Sequence, residues 1–226
     1  MASEVDICNL ALAHIGDNAT VASIDPPEGS AQAEHCARFY PIARDSLLEM
    51  HFWNFSMKRV VLAQVTNTWP EWQYAYAVPA DCLNIISVLP PDSNDDYSTR
   101  FVPTDTPDFA HNYSPMIAAG RYVPQPYTVE IGSDGTQIIL TNQETATLRY
   151  TIFTTDTTKF SPLFVVTLSH LLASYLAGPV IKGDQGINVG AQQLKIAMSY
   201  LSQAETSDAN QRNIKPEHIV PWTAGR

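Results

Sequence analysis

The chain has 226 residues, enough to bury a sizeable core in one large domain or two small ones. A hydrophobic fraction of 45% and an aromatic fraction of 10% argue against a disordered chain. A formal net charge of -10 argues against a nucleic-acid reader, which grips phosphates through clustered Lys and Arg. A surface past which DNA slides stays compatible with that charge, because gripping would there be a fault. The cysteines Cys8, Cys36 and Cys82 are odd in number and far apart, which predicts buried thiols rather than a disulfide or a metal site. Met1 to Asp6 is acidic and lacks the basic region and apolar run of a signal peptide, so a reducing cytoplasm is the expected compartment.

Ser3, with Asp6 three residues on, predicts a helix start, and Val5, Cys8, Leu12 and Ile15 follow at helical spacing up to Gly16. A connector with Pro26-Pro27 leads to Ser30, a second cap. Ala33, Cys36, Tyr40, Ala43, Leu47 and Met50 then predict one buried helical face. Pro41 inside that helix predicts a kink or two abutting helices. Phe52, Trp53 and Phe55 mark a switch of period. Beyond them Phe55, Met57, Val61, Ala63 and Val65 read as one side of a half-buried strand.

From Asn54 to Thr158 the pattern is that of strands. Trp72, Tyr74, Tyr76 and Val78 alternate with smaller residues and predict an aromatic strand face. Cys82 to Leu89 is a further apolar strand, and Pro90 to Asp108 reads as a loop. Tyr127 to Ile131 and Thr136 to Thr141 flank an Asp-Gly turn and predict a hairpin. Thr145 to Thr155 closes the set, with Ala146, Leu148, Tyr150 and Ile152 on one side. Short antiparallel strands of this kind predict a small sandwich or barrel.

Ser161-Pro162 starts another helix, in which Leu163 to Ala177 is apolar nearly all round. Gly178-Pro179 is expected to end it, short of the roughly 20 residues that span a bilayer, so it reads as a core helix. Ile187, Ala191, Leu194, Met198 and Leu201 predict the buried face of a last helix. The class is therefore α+β: a helical bundle from both chain ends (1–53 and 159–210), an inserted antiparallel β region (54–158) and an extended arm (211–226).

Reactive chemistry is hard to find in this order of residues. His14, His35, His51, His111, His170 and His218 are isolated, with no metal-ligand spacing, and His170 is expected to be a hydrogen-bonded core residue. Asp92 to Asp96 begins like a calcium loop, but Tyr97 stands where glycine is needed and Pro103 where a bidentate Glu is needed. There is no P-loop, Gly-x-Gly-x-x-Gly or Gly-x-Ser-x-Gly, so no enzyme activity and no cofactor are expected.

Leu10-Ala11-Leu12-Ala13-His14-Ile15-Gly16, Arg44 to Leu48, and Trp53-Asn54-Phe55 occur in an order and spacing that resembles the tail tubular protein A family. These are head-to-tail adaptors of short-tailed bacteriophages. The resemblance implies a structural virion protein, assembled in the host cytoplasm, that docks on a portal ring and carries the tail nozzle or tail tube. It implies a homo-oligomeric ring, a dodecamer, through which the genome passes without sequence-specific binding, and no membrane. Pro216 and Pro221 favour an extended arm, which nevertheless carries Ile219, Val220 and Trp222 and ends in Arg226. Those four are the expected partner-binding residues. The alternative is a carbohydrate- or ligand-binding β module on a helical stalk, motivated by the Trp72, Tyr74 and Tyr76 face; a hydrolase using unmarked carboxylates has the least support.

Overall fold

A computed structural model describes residues 2–91 and 125–211. Two compact units divide them: 2–57 with 152–211, and 58–91 with 125–151. The class is α+β, with helices in one unit and two antiparallel sheets that form no closed barrel.

In the helical unit, α1 (Glu4–His14) opens on a capping box between Ser3 and Asp6. It closes on Gly16, whose φ of +82° only glycine adopts cheaply. Gly16 N–H donates to Ala13 O and Asp17 N–H to Leu12 O, the two bonds of a Schellman ending. Ile7, Cys8, Ala11 and Leu12 make its buried face. α2 (Ala31–Met50) is one helix running through Pro41, not two, and Ser30 Oγ accepts from Ala33 N–H. It buries Ala33, Cys36, Tyr40, Ala43, Leu47 and Leu48, whereas Met50 is exposed, contrary to the spacing.

α3 (Pro162–Ile181) starts on the Ser161 cap and continues through Gly178 and Pro179, so the expected stop at Gly178 is corrected. At 20 residues it is long and apolar enough to cross a membrane by composition, and the argument from shortness does not hold. Burial marks it as a core helix instead: Phe164, Leu168, Leu171, Leu172, Leu176 and Ala177 are all sealed.

α4 (Gly183–Ala209) carries the largest correction. Its buried face is Gly186, Gln193, Ala197, Leu201, Ala204 and Asp208. Ile187, Ala191, Leu194 and Met198 face outward. Small residues won because α3 lies so close: a Cβ added at Gly186 would stand 2.8 Å from Ala177 O, and one at Gly190 3.0 Å from Ser174 O.

In the β unit, β1 (Met57–Val61), β7 (Thr147–Ile152) and β4 (Cys82–Leu89) form one sheet in that order. The second runs β2 (Gln64–Val65), β3 (Tyr74–Ala77), β6 (Gln137–Thr141) and β5 (Tyr127–Ile131). The expected single strand from Phe55 to Val65 is therefore a 3-10 turn and two strands in different sheets. Its parity breaks as well, with Leu62 buried and Val61 61% exposed. The hairpin pairs Tyr127 with Thr141 and Ile131 with Gln137, and Gly135 at φ +81° makes its turn. β7 is buried on both faces from Leu148 to Thr151, and it is hydrogen-bonded to a strand on each side.

Candidate functional site

The Trp53-Asn54-Phe55 motif turns out to be a joint. Trp53 is sealed, its indole N–H donates to Leu47 O at 2.9 Å, and its ring meets Phe164 edge-on at 5.0 Å. Phe55 and Phe160 complete the cluster, whereas Phe52 is 45% exposed and stays out of it. Asn54 N–H donates to Asp208 Oδ2 at 3.1 Å, and Asn54 Nδ2 donates to Asp208 O. His51 Nε2 stands 3.4 Å from the same carboxylate. A carboxylate near a helix C-terminus is disfavoured by the helix dipole, so these donors are what hold Asp208 buried. The end of α2 is thereby tied to the end of α4.

A second polar knot joins α1, α3 and α4. His14 and His170 stack with ring centroids 3.8 Å apart, and Tyr200 also stacks on His170, at 5.4 Å. Ser169 Oγ donates to Val166 O, so it accepts from His14 Nε2–H at 3.1 Å. Gln193 Nε2 donates to His14 O at 3.0 Å, which turns its Oε1 toward His170 Nδ1–H at 2.7 Å. The network thus fixes which ring nitrogen of each histidine carries the donated proton. Burial first, and His170 second, hold the His14 pKa below the ordinary imidazole value. The Ser–His contact is not an exposed nucleophile, because the Ser169 hydroxyl is sealed and its proton is committed. His170 is the hydrogen-bonded core residue expected of it.

In the β unit, Asp81 accepts from Lys58 Nζ at 2.7 Å and from the Tyr150 hydroxyl at 3.0 Å. The Lys58 hydrogen bond holds the Asp81 carboxyl below the usual range, and burial, then Asp81, pushes Tyr150 up. Cys82 is pushed up to about 11 by burial. The thiols of Cys8 and Cys36 lie sealed in the helical unit, where a hydrogen bond to Cys36, then burial, pushes Cys8 up.

The aromatic face predicted on the third strand does not assemble. Tyr74 and Tyr76 share one side of β3, and Tyr76 is sealed with its hydroxyl donating to Gln143 O. Trp72 lies before the strand and packs on Ala75, Ile138 and Leu140, the opposite side. The feature that motivated a glycan-binding module is therefore split between two faces.

The four expected partner-binding residues, Ile219, Val220, Trp222 and Arg226, lie outside the described residues, as does the Pro90 to Asp108 loop from residue 92 onward. Among the described residues no group of three or more His, Cys, Asp or Glu is placed to hold a metal ion. A shallow hollow of about 430 Å³ between α3 and α4 is lined by Leu163, Ser202, Gln203, Thr206, Ser207 and Asn210, none of them charged. What the helical unit does present is apolar surface, with Ile42 53% and Ile187 69% exposed. Sequence spacing missed the outward face of α4. The available signal was the run of Gly186, Gly190, Ala197 and Ala204, which asks for a close neighbour.

The fold and these surfaces define a two-unit α+β protein whose polar clusters are internal ties. No protein-family model matches the chain, and no curated protein is significantly similar to it.

Proposed function

We propose that this chain is a structural virion protein, a head-to-tail adaptor that docks on a portal ring and carries the tail nozzle or tail tube around the DNA channel. The observation that carries the reading is the order of three motifs, Leu10 to Gly16, Arg44 to Leu48 and Trp53-Asn54-Phe55, which resembles the tail tubular protein A family. Their roles within the helical unit support it: the first closes α1, the second lies in α2, and the third ties α2 to α4. A chain of net charge -10 can surround passing DNA without clamping it, because like charges repel. In this reading the protein works as a ring of twelve copies, assembled in the host cytoplasm, without enzyme activity.

The arm supplies the anchor, with Trp222 as its centre and Ile219, Val220 and Arg226 beside it. Truncating a buried tryptophan anchor typically costs about 2 kcal/mol or more, and in a ring the loss recurs in every copy. Removal of residues 213–226 is expected to leave a folded chain that no longer co-sediments with portal rings, and Trp222→Ala to weaken attachment. Full co-sedimentation of the shortened chain refutes the anchor. A large drop in its melting temperature instead assigns the arm to the core.

A further inference from the structure

The outer face of α4 carries an apolar stripe that no described residue covers. Ile187 is 69% exposed, Leu194 40% and Met198 41%, with Ala191 exposed between them. On one flank lies α3, where Ser174, Tyr175 and Gly178 complete a shallow hollow of about 290 Å³. On the other flank stand Asp184 and Lys195, both exposed and neither in an ion pair with a described residue. They are about three helical turns apart, and so on the same side of the helix.

A helix with opposite charges at the two ends of one flank is complementary to itself turned end for end. We propose that α4 is a self-association face, on which the α4 of a second copy lies antiparallel about a twofold axis near Gly190. Ile187 of each copy then meets Leu194 of the other, across the small Ala191. Asp184 of each copy stands opposite Lys195 of the other, and the twofold axis makes every such contact twice. A parallel pair would carry the two charged flanks to opposite sides of the seam, leaving Asp184 and Lys195 without each other as partners. The chain's net charge of -10 opposes self-association in general, yet this face is locally balanced. Three large side chains per copy cover less than the ~800 Å² per partner of a stable interface, so the pair forms at high concentration and dissociates on dilution. The inference is independent of the adaptor reading.

The test is sedimentation equilibrium of the full chain over a series reaching about 1 mM. A reversible monomer–dimer equilibrium is expected. Lys195→Asp sets two carboxylates against each other in both halves and is expected to raise Kd about tenfold or more. The double exchange Asp184→Lys with Lys195→Asp restores wild-type association, and Leu194→Asp is monomeric. All three positions are exposed, so circular dichroism should be unchanged in every variant. A monomer throughout, growth beyond dimers, a dimer indifferent to Lys195→Asp and Leu194→Asp, or a failed rescue by the double exchange overturns the proposal.

Discussion

His14 illustrates how one residue links stability to pH. Its ring is pressed on His170 at 3.8 Å and its Nε2 shares a hydrogen bond with the Ser169 hydroxyl. Since its folded pKa is held below the reference of 6.5, the unfolded chain takes up this proton first as pH falls. The stabilisation is complete above about pH 6.5 and is lost progressively below it, down to the folded pKa. Melting temperature should therefore decline below about pH 6.5, and His14→Gln, which can still donate to Ser169 but cannot titrate, should show a flatter profile. An identical slope in both proteins would remove His14 from the account. Asp208 makes a separate point, for its carboxylate accepts from the Asn54 backbone. Asp208→Ala should cost about 1–3 kcal/mol by urea unfolding, because a half-buried N–H loses its acceptor, while Asp208→Asn should cost less.

Between α3 and α4 the decisive quantity is backbone separation. Gly186→Ala would place its methyl 2.8 Å from Ala177 O, a backbone atom that cannot move alone. It is expected to destabilise by about 1–3 kcal/mol. Gly178→Ala, in the same pair of helices, meets nothing within 4 Å outside its chain neighbours. That change should cost less than Gly186→Ala, since the better helix propensity of alanine offsets the crowding of its methyl against the ring of Pro179. Equal effects in thermal melts would show that contact does not distinguish the two sites. The same helices show what sequence can and cannot tell. Caps were legible because they are local: Ser3, Ser30 and Ser161 each accept from a backbone N–H three residues on. The outward turn of Ile187, Leu194 and Met198 was not, because the inner face was decided by how near α3 comes. Val61 and Leu62 were misplaced for a related reason, a break between two strands that join different sheets. The polar knots were illegible because they join residues far apart in the chain, as His14 with Ser169 and Asn54 with Asp208.

For the whole molecule, the α+β class followed from the change of hydrophobic period near Trp53 and its return at Ser161. The proposed partner-binding residues belong to a different category, since Ile219, Val220, Trp222 and Arg226 lie beyond the described residues and rest on composition and resemblance. On the proposed adaptor function, a chain of net charge -10 should remain monomeric or weakly associated until a partner offsets its repulsion. The direct test is to mix the intact chain with cognate portal rings and measure bound chain by sedimentation and electron microscopy. The account predicts saturation at one chain per portal subunit, in a continuous ring coaxial with the portal. Chain that stays in the supernatant at saturating concentration, or that forms stable dodecamers with no portal present, would contradict it.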